Sequence, residues 1–278
     1  MRDIKDKGTE DINERTSNIS SLNVNDIVSI IHKEDKVAFS AVGRARAQIT
    51  LVIERCLERM NSGGRLLYVG SGTSGRLGAL DAIEMEPTYG MGKNYFDFIV
   101  AGGIKALTRS IEGAEDNTRS AVTALSRKRI SNNDVVIGIS ASGKAPFVIS
   151  AIKHARSLGC YTVAILNNSP SPLEQAAEDC ILLKTGPEVI QGSTRMKAGT
   201  AQKMTLNIIS TTLAVSLGRT DGNYMTHMKS YYNSKLRARA LKIISSRFNM
   251  GEDQADEILR RNKYDIEKAM EEIEKSMN

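Results

Sequence analysis

From Arg65 onward the sequence alternates short apolar runs with longer amphipathic stretches, and this alternation constrains the fold more than any other feature. The runs Leu66 to Val69, Phe96 to Val100, Val135 to Ile139, Thr162 to Leu166 and Ile181 to Leu183 are each of strand length. Helix-like segments lie between them near 76–86, 105–128, 146–158 and 172–178. Alternating strand and helix predict the α/β class with a doubly wound parallel sheet. In such sheets the ligand crevice opens at the carboxyl ends of the strands, where loops enter the next helices. Those loops are the places to look for chemistry.

The flanks read differently. Asn25 or Asn23 can cap a short helix carrying Ile27, Val28, Ile30 and Ile31, and a second helix is expected from about Lys36 to Met60. In the second, Val42, Ala45, Ile49, Val52, Ile53, Cys56 and Met60 recur at three- and four-residue steps and so share one buried face. Asn61-Ser62-Gly63-Gly64 ends it. Residues 1–62 are thus expected to form an N-terminal helical arm and residues 63–220 the α/β domain. A long helix is predicted from Thr194 to Leu217 with Gly218 as its stop, followed by an irregular stretch around Asp221 to Tyr232. Leu241, Ile244 and Phe248, then Ala255, Ile258 and Leu259, then Ile266, Ala269, Met270 and Ile273 fit three short amphipathic helices, broken at Gly251 and near Asn262-Lys263. A C-terminal three-helix bundle over 235–278 is the expectation.

At 278 residues the chain suffices for one substantial core with helical additions. The opening stretch is polar and lacks the apolar run of a signal peptide, and the longest nearly apolar run, around Ile208 to Gly218, is too short to span a bilayer. A cytoplasmic address with no membrane partner is expected. The net charge of +6 is uneven: residues 251–278 hold nine acids and five bases, leaving +10 on the rest, which would attract small anions. Lys and Arg are scattered, aromatics are 5%, and no nucleic-acid motif stands out, so no nucleic-acid partner is expected. Cys56, Cys160 and Cys180 lack the spacing of a zinc or redox site and read as reduced thiols. His32, His154 and His227 are isolated, and neither a metal nor another cofactor is expected.

Two loops carry the chemical signal. Gly70-Ser71-Gly72-Thr73-Ser74-Gly75-Arg76 lies directly between a strand and a helix. Its glycines let the backbone approach an anion. The hydroxyls of Ser71, Thr73 and Ser74 and the free amides at the helix start can donate to phosphate oxygens, helped by the positive end of the helix dipole. It is no Walker loop, because no Gly-Lys-Ser/Thr terminates it, so a nucleotide is not implied. Ser140-Ala141-Ser142-Gly143-Lys144-Ala145-Pro146 repeats the design, with Pro146 suited to the first turn of the next helix. One Ser/Gly-rich turn is usually only a helix cap. Two at corresponding strand ends, each with a basic residue, point to a clamp for one phosphate.

These stretches resemble the sugar isomerase (SIS) family of phosphosugar-binding domains, and longer strings narrow the likeness to its N-acetylmuramic acid 6-phosphate etherase branch. The strings are Gly72 to Gly78 with Leu80-Asp81-Ala82, Glu84 and Pro87-Thr88; Ala101-Gly102-Gly103; Glu112-Gly113-Ala114-Glu115-Asp116; Gly186-Pro187-Glu188-Val189; and Gly192 to Lys203. Thr9-Glu10, Gly222-Asn223 and Asn233 with Lys235-Leu236 extend the likeness over most of the chain. Two departures line the presumed pocket. Ile83-Glu84-Met85-Glu86-Pro87-Thr88 stands where the family usually reads Ser-Glu-Cys-Pro-Pro-Thr, and Ser142-Gly143-Lys144-Ala145-Pro146-Phe147 where it reads Ser-Gly-Arg-Thr-Pro-Tyr. The second variant also resembles the glucokinase regulatory proteins, which bind sugar phosphates without transforming them.

The resemblance implies a lyase that splits the D-lactyl ether at C3 of N-acetylmuramic acid 6-phosphate, giving N-acetylglucosamine 6-phosphate and D-lactate. It implies Glu84 as the acid for the leaving lactate and Glu115 as the base, with the sugar phosphate held by Ser71, Gly72, Thr73, Ser74, Gly75, Ser140, Ser142 and Lys144. It also implies a homodimer. Without the resemblance, Glu84 reads as a solvated helix-end residue and Glu115 as helix decoration. Lys144 reads as an ordinary surface lysine, and Glu188, Ser193, Thr194 and Lys197 either reach the pocket or cap the long helix. A phosphosugar isomerase and a non-catalytic sugar-phosphate-binding regulator are the alternatives.

Overall fold

The computed structural model describes residues 8–231 and 233–277; the first seven residues of the expected arm lie outside them, as do Tyr232 and Asn278. The apolar runs form β1 (Leu66–Gly70), β2 (Phe96–Val100), β3 (Val135–Ser140), β4 (Tyr161–Leu166) and β5 (Asp179–Leu182). All pair in parallel, in the order β2-β1-β3-β4-β5. Every residue of β1, β3 and β4 is buried. That is why these strands read as unbroken apolar runs instead of alternating ones: a parallel sheet is covered on both faces.

Around the strands lie α1 (Val24–Arg44), α2 (Arg46–Asn61), α3 (Gly72–Tyr89), α4 (Thr118–Lys128), α5 (Pro146–Ser157), α6 (Pro172–Ala176) and α7 (Lys197–Ser216). Tyr68, Ile137, Val163 and Ile181 point to one face, into a core shared with α1, α2, α3 and α7. Leu67, Val69, Val136 and Ala164 point to the other, against α4, α5 and α6. The chain moves outward from β1 to β2, then returns to β3 on the far side of β1. The order therefore reverses between β1 and β3, the kind of switch point at whose carboxyl ends open α/β sheets bind ligands.

Several sequence-based boundaries need correction. The polar run His32 to Lys36 is no break: α1 passes through it, and the arm bends at Ala45 instead. Lys and Glu are good helix formers, and Glu34 turns inward to ionic partners. The expected helix over 105–128 shrinks to α4, preceded by 3-10 turns at Ile104–Leu107 and Ala114–Asp116. Gly113, at φ 66°, and Asn117, whose side chain accepts the Ser120 amide at 3.0 Å, separate that turn from the helix. The start of α3 is Gly72, four residues before the expected 76, and α7 begins at Lys197, not Thr194. The stretch after Gly218 contains a short antiparallel pair, β6 (Thr220–Asp221) with β7 (Tyr224–Met225). Three helices, α8 (Ser234–Phe248), α9 (Glu252–Arg261) and α10 (Ile266–Met277), then pack around Leu236, Ile244, Leu259 and Met270.

Candidate active site

Both Ser/Gly turns leave the strands that flank the reversal. β1 and β3 are hydrogen-bonded neighbours, with Gly70 opposite Ile139, so the two turns start about 4.8 Å apart. In the first, the Gly75 amide donates to Ser71 O at 3.1 Å, which leaves the amides of Gly72, Thr73 and Ser74 at the helix start without intrahelical acceptors. Strand and helix approach closely here. A Cβ at Gly75 would stand 2.7 Å from Gly70 O and 2.8 Å from Val100 Cγ2. Gly75→Ala should therefore lower stability by roughly 1–3 kcal/mol, measurable by thermal unfolding.

The hydroxyls divide into two sets. Among the described residues those of Ser71 and Thr73 have no protein partner, whereas Ser74 Oγ, on an 8%-exposed residue, donates to Gln202 Oε1 at 2.8 Å. Its proton points inward, away from the crevice. In the second turn Ser140 Oγ accepts from the Gly143 amide and Ser142 Oγ from the Lys144 amide, both at 3.2 Å. Among the described residues neither hydroxyl donates to the protein. Gly143 sits at φ 67°, and a Cβ there would lie 2.4 Å from Ser171 Oγ, so only glycine fits.

The two basic residues differ. Arg76 is already engaged, donating from Nε to Ala106 O at 2.8 Å and from Nη2 to Arg109 O at 3.1 Å, which pins the loop after β2 to the first turn of α3. Lys144 is exposed. Glu115 is exposed on the 3-10 turn Ala114–Asp116, which packs on α5, the helix that starts from the second turn. A cavity of about 770 Å³ borders this loop, lined by Gly102, Ile104, Glu112, Asn117 and Arg127 among others.

Glu84 is exposed and lies on α3 twelve residues beyond Gly72, roughly 18 Å along the helix axis from that residue. Its helix is firmly held one turn earlier. Asp81 is buried and accepts from Tyr68 Oη (3.0 Å), Asn207 Nδ2 (2.7 Å) and Ser210 Oγ (3.0 Å). Burial raises its carboxyl above the usual range despite those donors. Leu80 and Ile83, 49% and 52% exposed, flank Glu84 on the outer side.

Glu188 and Lys197 do not face the crevice. Glu188 accepts the Lys197 and Ala198 amides, both at 2.9 Å, capping α7, and Lys197 Nζ lies 2.6 Å from Glu34 Oε2. The residues that sequence reasoning missed are Gln202, Asn167, Asn168 and Thr9, which join the turns from behind. Thr9 and Gln202 lie in strings that carry the resemblance, but nothing in their spacing shows where they point.

Residues 48–156 match the family model described as the glucokinase regulatory protein N-terminal SIS domain. A solved structure of an Escherichia coli CFT073 protein shares the fold at TM-score 0.53 and 16% identity, over 73% of this chain and 97% of that one. So does a phosphoheptose isomerase from Neisseria gonorrhoeae, at TM-score 0.51 and 17% identity, over 71% and 100%. Fold and turns together define a SIS-type α/β protein. Relatives named N-acetylmuramic acid 6-phosphate etherase include one from Geobacillus thermodenitrificans, 40% identical over 94% of this chain and 88% of its own length. Another, from Mycoplasma mycoides, is 46% identical over 87% and 80%. The chain belongs to the N-acetylmuramic acid 6-phosphate etherase family.

Proposed function

We propose that the protein is a carbon-oxygen lyase that cleaves the D-lactyl ether of N-acetylmuramic acid 6-phosphate in the cytoplasm, during recycling or catabolism of cell-wall amino sugar. The observation that carries the reading is the pair of hydroxyl-rich turns on adjacent strands at the reversal point, within a chain of this family. The phosphate is held by Ser71 to Gly75 together with Ser140, Ser142 and Lys144. With the sugar ring open, the C2 proton is acidic because it adjoins the aldehyde. Glu115 removes that proton, the C3–O bond breaks, and Glu84 protonates the departing oxygen, releasing D-lactate. Water then adds across the C2–C3 double bond, hydroxide to C3 and a proton to C2, giving N-acetylglucosamine 6-phosphate. Residues 63–220 serve as the phosphosugar domain, 1–62 as its arm and 235–278 as an appended bundle.

The position of Glu84 makes assembly part of this proposal. A hexose whose phosphate rests on the first turn does not reach some 18 Å down α3, so Glu84 acts on sugar held by the other subunit of a homodimer. The exposed Leu80 and Ile83 beside it would be sealed by that subunit, giving the acid a drier setting. A second apolar feature suits self-association: a groove of about 470 Å³ between α1, α2 and α7, lined by Phe39, Val42, Ile53, Leu57, Met204 and Ile208.

Incubation with N-acetylmuramic acid 6-phosphate should release D-lactate. Tight binding without lactate would favour the regulator, and a ketose product from an amino-sugar phosphate the isomerase. Mixing Glu84→Gln subunits with Ser142→Ala subunits should restore about a quarter of wild-type activity, because half of the hybrid dimer's sites are intact. Absence of restoration, with subunit exchange verified, would place both groups in one subunit's site.

A further inference from the structure

Behind the two turns runs a continuous buried chain of amides. Ser74 Oγ donates to Gln202 Oε1 at 2.8 Å, and Gln202 Nε2 donates to Asn167 Oδ1 at 3.0 Å. The backbone amide of Asn167 donates to the carbonyl of Ala141, inside the second turn, at 3.1 Å. Asn167 Nδ2 is held in turn by Leu183 O (3.0 Å) and Thr185 Oγ1 (3.3 Å). Gln202 and Asn167 are 1% and 3% exposed. Next to them Asn168 Nδ2 donates both to Ala141 O at 3.1 Å and to Thr9 Oγ1 at 2.7 Å, while its Oδ1 accepts the Thr9 amide at 2.9 Å. The second turn is thus braced from α7 and from the N-terminal segment.

We infer that Gln202 and Asn167 are positioning residues which fix the spacing of the two turns, and so the affinity of the phosphate clamp. The inference rests on the reading of these turns as that clamp. β3 lies between β1 and β4, so the first turn of α3 and the end of β4 are about two strand spacings, roughly 9.5 Å, apart. A direct contact cannot close that gap. One inserted amide can, provided that it accepts at one end and donates at the other. Glutamine meets both conditions. Glutamate has the same shape but turns an acceptor toward Asn167 Oδ1, and Asn167 cannot flip to answer it without presenting its oxygen to the Leu183 carbonyl. Ser74 consequently contributes to the clamp through its backbone amide, while its hydroxyl anchors the turn.

The test compares wild type with Gln202→Met, which keeps the volume and removes the polarity, and with Gln202→Asn, which keeps both polar atoms on a shorter arm. Binding of inorganic phosphate is measured by calorimetry, and lactate release gives kcat and KM for N-acetylmuramic acid 6-phosphate. Both variants are expected to lose at least about tenfold in phosphate affinity and to raise KM similarly, with kcat within about threefold of wild type. Combining Ser74→Ala with Gln202→Met should add little further loss, because both cut the same link. Should Gln202→Met not fold, the same comparison is read from Gln202→Asn. A folded variant that binds phosphate within twofold of wild type, or one that loses kcat and keeps KM, overturns the positioning role alone. Failure of wild type itself to bind phosphate overturns the clamp and this inference together.

Discussion

Glu84→Gln and Glu115→Gln are each expected to slow D-lactate release by roughly 10²- to 10⁴-fold, the usual range for removing a general acid or base, while sugar-phosphate affinity stays within a few-fold. The two losses should differ in kind. Without a base at position 115 the C2 proton stays in place, so substrate incubated in deuterated water keeps its hydrogen. Without an acid at position 84 the proton can still leave and return, so C2 exchanges with solvent although the ether survives. Mass spectrometry of recovered substrate distinguishes the two. Exchange in the Glu115→Gln variant, or a loss below about tenfold in both, would mean that other groups carry the proton transfers. Binding is preserved in this expectation because neither carboxylate belongs to a turn: α3 and α5 begin at the turns, while Glu84 lies twelve residues beyond Gly72 in α3 and Glu115 on a separate 3-10 turn.

What the sequence could and could not convey follows from the range of each interaction. Strand runs buried on both faces declare themselves, and even the edge strand Phe96–Val100 appears in the structure with the expected boundaries, although its buried Asp97 pairs with Lys128. The two turns are equally legible, since a glycine at positive φ in each, Ser71 before α3 and Pro146 opening α5 are local requirements. Boundaries failed where a side chain found a distant partner. His32 to Lys36 reads as a polar interruption until Glu34 is seen to face Lys197, 163 positions along the chain. The helix expected from 105 to 128 failed because Gly113 and Asn117 divide a stretch whose apolar residues still recur at helical steps. Ser74 shows the limit most clearly. Its sequence context assigns it a hydroxyl for phosphate, and only Gln202, brought close by the packing of α7 on α3, reveals that the proton is directed elsewhere.

The same packing makes the buried ion cluster at Glu34 the second site of large expected effect, this time on stability. Glu34 accepts from Arg15 (2.5 and 2.8 Å), Lys197 (2.6 Å) and Asn13 (2.9 Å), with Glu34 5% and Lys197 0% exposed. Burial alone would raise the carboxyl, but Arg15, Lys197 and Asn13 together bring it down to about 2 from an ordinary 4.5. A carboxylate depressed in this way favours the folded state fully above its unfolded value, and that contribution, on the order of 3 kcal/mol, fades as pH falls from about 4.5 through about 2. Wild type should therefore lose stability steeply over that interval. Glu34→Gln should start lower at neutral pH and show a flatter acid limb, read from denaturant unfolding at each pH. Lys197→Met, which leaves Glu34 buried with only Arg15 and Asn13, should cost about 3–5 kcal/mol. Adding Glu34→Gln to Lys197→Met should recover part of that loss, because a neutral amide replaces a buried carboxylate that has lost one of its two cations. An additive double mutant would mean that the lysine stabilises through its packed methylenes and not through its charge.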